Sequence, residues 1–193
     1  MKKKLIKLLI FPGHFLPDYS GGGPVISVSN LSIAISSSIR VYIIASGKKF
    51  SDKSPLNVDK NVWIKKKDYE VMYLNRYSIK KIYDAIDYIG PDVIYLNSYY
   101  SFEWTFIPTL LAIYKKIKKI VIAPRGNFSY VNSSKFSLKK RLYQLIYNTL
   151  IIKTKVVWHL TSKYEYDSIK NYINLEKGNK SFEIIRNITL SNY

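Results

Sequence analysis

The sequence predicts an α/β protein: one domain with a largely parallel sheet and helices on both faces. Short apolar runs rich in isoleucine and valine alternate with longer amphipathic runs along the chain. The apolar runs are nearly continuous instead of alternating, as in strands covered on both faces. Strand–helix alternation of this kind implies βαβ units. Pro17-Asp-Tyr-Ser-Gly-Gly-Gly-Pro24 lies between the first apolar run and the first helical one. That is where such folds gather ligands, at the carboxyl ends of their strands.

The predicted strands are Leu5–Phe11, Ile39–Ala45, Val71–Leu74, Asp92–Asn97, Ile120–Ala123, Val156–Leu160 and Glu183–Ile185, with a ragged one at Val62–Ile64. Helices are predicted over 24–38, 77–89, 101–118, 136–152 and 163–173. Pro24 suits a first helical turn, where a missing N–H costs nothing. Gly90-Pro91 stops one helix and launches the next strand. Pro108 belongs in the early turns of its helix or kinks it. On that helix Phe106, Leu110, Ile113 and Ile117 form one stripe, and lysines 115, 116, 118 and 119 cluster at its negative end. Ser162-Lys-Tyr-Glu165 reads as a capping box, with the glutamate reaching back to the serine N–H. Gly47 to Asp68 is polar and poorly periodic, a surface excursion. The domain is expected to run from residue 1 to 186, with 187–193 a hinge or tail.

At 193 residues the chain is long enough to bury a full core. The formal charge of +18 is nearly all lysine. The arginines are Arg40, Arg76, Arg125, Arg141 and Arg186. Lysine, isoleucine, asparagine and tyrosine are inflated together, as an AT-rich coding sequence produces. The residual positive field favours anionic partners, and no nucleic-acid motif accompanies it. Absence of cysteine excludes disulfides and thiolate chemistry and agrees with a reducing cytoplasm. The lysine-led start is broken by Lys7 and lacks a small-residue cleavage site, so it reads as a strand and not a signal peptide. No segment reaches the about 18 apolar residues of a membrane span.

Gly21-Gly22-Gly23 before a helix reads two ways: a seat for phosphate or carboxylate on bare backbone amides, or a tight turn. Ile26 breaks the dinucleotide fingerprint, and there is no Gly-Lys-Ser/Thr loop and no Asp-x-Asp pair. His14 and His159 form no ligand motif, so no metal is expected. Ala123-Pro-Arg-Gly-Asn-Phe-Ser129 follows the fifth strong strand. Arg125 there either binds phosphate or sugar hydroxyls or ties loops together, and Gly126 lets a ligand approach the backbone. Asn97 is either a ligand contact or turn chemistry, and His159 either a ligand contact or a structural histidine. Lys139-Lys140-Arg141 lies on a helix whose other face carries Leu138, Leu142, Leu145 and Ile146. That charge run is either a solvated face or the edge of a membrane-lying helix.

Pro17…Gly21-Gly22-Gly23-Pro24…Asn30-Leu31, Pro91-Asp92-Val93, Ala123-Pro-Arg-Gly126 and His159-Leu-Thr-Ser162-x-x-Glu165 together resemble the N-terminal half of a family 4 glycosyltransferase. The resemblance implies a Rossmann-like domain, the acceptor-side half of a GT-B fold. It implies retaining transfer from a nucleotide-sugar to a polysaccharide or lipid-linked acceptor in bacterial surface-polysaccharide synthesis, without a metal or other cofactor. Gly22 and Gly23 would contact the donor diphosphate. Asn97, Arg125, Gly126, Asn127 and His159 would face the transferred sugar or the acceptor. Many relatives carry a histidine where Arg125 stands. The lysine-rich helices would suit an anionic membrane, which places the protein in the cytoplasm or on the inner face of the plasma membrane.

The family's donor-binding carboxylates lie in a second domain, expected where this chain ends. Arg186-Asn187-Ile188 stands where a Pro-Asn-Gly hinge is usual. The expectation is a half enzyme, inactive alone, completed by a C-terminal half. The rival expectation is a noncatalytic glycan- or membrane-binding module that assists a complete transferase.

Overall fold

In a computed structural model the described residues are 5–128, 138–170, 172–173 and 180–189. The strands are β1 (Ile6–Gly13), β2 (Ile39–Ser46), β3 (Trp63–Lys65), β4 (Glu70–Leu74), β5 (Val93–Leu96), β6 (Lys119–Ile122), β7 (Val156–Leu160) and β8 (Lys180–Ile184). They form one sheet in the order β3-β4-β2-β1-β5-β6-β7-β8. The pairs β1–β2, β2–β4, β6–β7 and β7–β8 run parallel, and the short β3 runs antiparallel to β4. The helices are α1 (Gly23–Ile35), α2 (Ile79–Ile89), α3 (Ile107–Tyr114), α4 (Leu138–Leu150) and α5 (Lys163–Ile169). This is the Rossmann-like α/β architecture that the apolar runs imply. Among the described residues no helix is long and apolar enough to cross a membrane.

The chain divides into two compact units, Met1–Ile94 with Asn187–Tyr193, and Tyr95–Arg186. In the first, Leu9, Ile10, Phe11, Ile43, Ile44 and Val71 lose nearly all contact with solvent, which is why β1, β2 and β4 show no alternation. α1 buries small side chains, Ser27, Ser29 and Ser32 beside Val25 and Val28, and so lies close to its neighbours. The Ser32 hydroxyl donates to the Val28 carbonyl at 2.8 Å, which satisfies it internally. α2 is capped by Ser78, whose oxygen accepts from the Lys81 N–H, and it ends at Gly90 in the left-handed region. The C-terminal segment of this unit runs along α1. The Ser27 hydroxyl donates to Asn187 Oδ1 at 2.8 Å, and Asn30 Nδ2 donates to the Ile188 carbonyl at 2.9 Å.

The second unit is built on aromatic packing. Tyr99 and Tyr147 are fully buried, and the Tyr99 ring meets Tyr100, Phe128, Tyr143, Tyr147 and Trp158. Three of these tyrosines pair their hydroxyls within the unit. Tyr99 donates to Asn148 Oδ1 at 3.0 Å, Tyr143 to the Tyr99 carbonyl at 2.8 Å, and Tyr147 pairs with the Thr109 hydroxyl at 2.8 Å.

Two expectations are corrected here. The helix expected over 101–118 is a π-helical turn, Phe102–Phe106, followed by α3, with Pro108 in the first α-helical turn. Proline there lacks the N–H that a continuous ladder would need. The stripe on this helix does not face inward. Leu110 and Ile113 are 38% and 36% exposed, while Ile107, Pro108, Thr109 and Ala112 are buried. The π turn adds a residue to the spiral and rotates the face that follows. The excursion from Gly47 to Asp68 does run over the surface, with β3 near the ragged strand expected there; it lends the core Leu56, which is buried, and Trp63 meets Tyr42 edge to face. Of the predicted elements, 136–137, 171, 190–193 and Ser129 lie outside the described residues.

Candidate functional site

The glycine loop leaves β1 through His14 and Phe15. Asp18, only 4% exposed, organises it. Its carboxylate accepts from the Ser20 N–H at 3.1 Å, from the Ser20 hydroxyl, and from the Phe50 N–H at 2.7 Å. Burial opposes the charge, but these hydrogen bonds and nearby His14 outweigh it and hold the carboxyl below its ordinary range. Sequence reading passed over Asp18, although an Asp two residues before Ser is an Asx-turn signal.

The three glycines have different reasons. A Cβ on Gly21 would lie 2.6 Å from Val25 Cγ2, a buried side chain, so close approach requires glycine there. Gly22 sits at φ +66, and its N–H donates to the Tyr19 carbonyl at 3.0 Å. That corrects the expectation that the Gly22 amide is bare: the loop's own turn uses it. Gly23 has an ordinary φ and open space where a Cβ would stand. As the first helical residue, it carries an N–H with no intrahelical acceptor. It is the one glycine of the three that the fold does not demand.

The second unit brings together Asn97, Arg125, Gly126, Asn127 and His159, all beyond or at the carboxyl ends of β5, β6 and β7. Arg125 Nε donates to Asn97 Oδ1 at 2.7 Å, and Arg125 Nη2 donates to the Tyr95 hydroxyl at 2.7 Å. That hydroxyl lies 2.8 Å from His159 Nδ1, and His159 Nε2 lies 3.0 Å from the Ile185 carbonyl. A carbonyl only accepts, so Nε2 carries the proton and Nδ1 accepts from Tyr95. The chain of donors runs from Arg125 through Tyr95 to a neutral histidine. Burial is the main reason that the His159 pKa is lowered, with Arg125 contributing, against the opposing effects of Ile185 and Glu165. Burial pushes the Tyr95 phenol up to about 12.

Glu165 anchors the loop. Its side chain, 6% exposed, accepts from the Gly126 N–H at 2.9 Å, the Thr161 N–H at 2.7 Å and the Thr161 hydroxyl at 2.9 Å. Ser162 does cap α5, accepting from the Glu165 N–H. The reciprocal half of the capping box is corrected: Glu165 turns to Thr161 and across to Gly126, because two further donors sit within its reach. The Gly126 amide is thereby occupied. Asn127 Oδ1 accepts from the Tyr99 N–H at 2.7 Å and lies 3.3 Å from the Ser98 hydroxyl, so it closes the β5 loop.

Two features of this cluster go beyond tying loops together. Arg125 holds φ +53, directly before Gly126 at φ +71. A bulky residue in the left-handed region costs about 1 kcal/mol or more and persists only where its surroundings enforce it. Asn97 is 4% exposed, and its Nδ2 donor is buried with no partner among the described residues. A buried orphan donor costs about 1–3 kcal/mol.

A cavity of about 300 Å³, lined by Arg40, Lys65, Lys66, Asp68 and Glu70 among others, opens at the starts of β2 and β4. Its charges are mixed, and Rossmann-type ligands bind at the other ends of the strands.

His14 resembles His159 in being held neutral by burial, with its Nδ1 donating to the Lys48 carbonyl at 3.0 Å. Protonation therefore favours the unfolded chain, whose histidines take a proton near pH 6.5. Stability is expected to be full above that pH and to fall as pH drops below it toward the lowered native values. Melting curves from about pH 8 down to about pH 5 check this. His159→Gln, which keeps an acceptor and a donor, should flatten part of the decline, and a pH-independent melting point in that range would contradict the assignment.

No family model matches the chain, and no curated protein matches it. Among solved structures it is similar to sucrose-phosphate synthase from Thermosynechococcus elongatus, with a TM-score of 0.61 at 14% identity, covering 95% of this chain and 48% of the synthase. The chain thus spans about half the synthase's length. It also matches UDP-glucose 4-epimerase from Thermotoga maritima, solved with UDP-glucose, at 9% identity over 80% of this chain and 54% of the epimerase. That TM-score, 0.46, is too low to add to the argument. The likeness to the synthase shows a shared α/β fold of Rossmann type.

Proposed function

We propose that the chain is the acceptor-side half of a retaining, metal-independent glycosyltransferase that moves sugar from a nucleotide-sugar to a glycan or lipid-linked acceptor. The observation that carries this reading is the Asn97–Arg125 pair. A strained arginine is clamped by Asn97 and Tyr95 at the carboxyl ends of parallel strands, beside an Asn97 amide donor with no partner among the described residues. Preorganised donors of this kind suit a sugar hydroxyl, which can accept from Asn97 while the arginine fixes its orientation. Gly23 is the position proposed to lie beside the donor diphosphate, since a helix N-terminus with open space favours an anion. The protein's place on the cytoplasmic side follows from the use of nucleotide-sugar. Transfer by the 193-residue chain alone is expected to be negligible, because donor and acceptor must be held together in near-attack geometry.

One observation favours the noncatalytic reading: Gly22, Gly126 and both His159 nitrogens already have protein partners. Amide-resolved NMR titration separates the two. With a surface-glycan oligosaccharide, resonances of Asn97, Arg125 and Asn127 should shift, and with a nucleoside diphosphate sugar, that of Gly23. Gly23→Val should lose the nucleotide shifts while melting normally. Gly22→Val should lower stability by about 1–2 kcal/mol, because a β-branched residue at positive φ is strained. Glycan shifts without nucleotide shifts would support the binding module, and the absence of both would remove the transferase reading.

A further inference from the structure

In the first unit the short antiparallel strand β3 brings a run of cations to the amino end of the sheet. A tight turn joins β3 to β4, and in it the Lys66 N–H donates to the Tyr69 carbonyl at 2.9 Å. Lys65 stands opposite Glu70 across that hairpin, and Glu70 stands opposite Tyr42 on β2. Arg40 lies two residues before Tyr42, so Arg40, Lys65 and Glu70 share one face of the sheet. With Lys66 and Lys67 they line the cavity of about 300 Å³ at the starts of β2 and β4. That volume is at the lower end of those that hold small molecules. The two carboxylates at this cavity differ. Asp68 accepts from the Ser36 hydroxyl at 2.9 Å, whereas the Glu70 side chain has no hydrogen-bond or ion-pair partner among the described residues. Arg40, Lys65, Lys66 and Lys67 are exposed, and none of them forms an ion pair among the described residues. Four like charges around one concave opening repel one another and focus a positive field there.

We propose that this cavity binds a phosphorylated small molecule that also carries hydroxyls, its phosphate held by Arg40 and the hairpin lysines and a hydroxyl donating to Glu70. The planar fork of arginine and the point charges of lysine both suit phosphate oxygens. A carboxylate among those cations repels a bare phosphate but accepts readily from a hydroxyl, which a phosphorylated polyol supplies. The site is distinct from the diphosphate position proposed beside Gly23. Gly23 begins α1 and Ser36 follows its last residue, so the two lie about 20 Å apart along a 13-residue helix. The inference stands independently of the transfer reaction proposed above.

Calorimetry and amide-resolved NMR of the 193-residue chain with glucose 1-phosphate, inorganic phosphate and citrate, at about 0.15 M salt, test it. Glucose 1-phosphate should shift the resonances of Ser36, Arg40, Lys66, Lys67 and Glu70. It should bind at least about threefold more tightly than inorganic phosphate, and Glu70→Gln should remove that advantage. Arg40→Gln/Lys66→Gln should weaken its binding about tenfold or more. Lys139→Gln/Arg141→Gln removes the same charge from exposed positions on α4 and should bind as the wild type does. Circular dichroism and melting confirm that each variant folds. Four outcomes would overturn the proposal. The hairpin resonances could stay in place while only Gly23 shifts, which would send the phosphate to the donor position. Citrate could bind as tightly as glucose 1-phosphate, or the two paired charge variants could lose equally, and either result would make the diffuse field of a chain of net charge +18 the whole cause. A Glu70→Gln variant that keeps the advantage over inorganic phosphate would remove the hydroxyl contact and with it the ligand class.

Discussion

Tyr99→Ala is expected to destabilise the unit formed by Tyr95–Arg186 by about 4–5 kcal/mol, the upper range for deleting a buried aromatic ring. The ring is fully buried and packs against Tyr100, Phe128, Tyr143, Tyr147 and Trp158 at centroid distances of 4.7–5.8 Å. Those neighbours are rigid and come from separate segments, so the space left behind cannot collapse easily. Removal also leaves Asn148 Oδ1 without its donor. Since domains are stable by only about 5–15 kcal/mol, the variant should be largely unfolded at modest urea. Tyr99→Phe isolates the hydroxyl: it keeps the packing and should cost about 1 kcal/mol. Urea titration followed by tryptophan fluorescence reports on this unit through Trp104 and Trp158. A loss below about 2 kcal/mol for alanine would mean that the ring is not the hub of this core.

Glu165→Ala is expected to cost about 3–5 kcal/mol, because it strips one acceptor from three donors at once. The Gly126 N–H, the Thr161 N–H and the Thr161 hydroxyl all donate to this one buried carboxylate. Glu165→Gln retains a single acceptor oxygen and turns an NH₂ toward the remaining donors, so it should cost about 2–3 kcal/mol. The effect should reach Arg125, whose left-handed backbone is held from the Gly126 side by Glu165 and from the guanidinium side by Asn97 and Tyr95. Released from the first, Arg125 should relax, and the Tyr95 and His159 resonances should shift with it. A stable alanine variant with unchanged Tyr95 and His159 signals would show that the loop does not depend on this carboxylate.

Much of the architecture follows from local pattern. The runs Leu8–Phe11, Val41–Ala45 and Val71–Leu74 are continuous and apolar, and continuous apolar runs of that length have few homes besides a covered parallel strand. Pro24, Ser78, Gly90 and Ser162 mark helix ends through their own backbone chemistry, so their roles needed no neighbours to be read. The cluster of Asn97, Arg125 and His159 was likewise legible, since residues at the carboxyl ends of successive parallel strands are brought together by the winding itself. What tertiary structure alone decided is how those side chains are employed. Glu165 reaches back to Thr161 beside its own helix start with one oxygen and across to Gly126 with the other, and only the second loop supplies that last donor. Gly22 and Gly23 look equivalent in sequence, yet one amide closes a turn and the other does not. α4 offered a leucine face and a tyrosine face of similar period, and periodicity does not say which turns inward. That choice belongs to Tyr99 and Thr109, whose carbonyl and hydroxyl pair with the hydroxyls of Tyr143 and Tyr147.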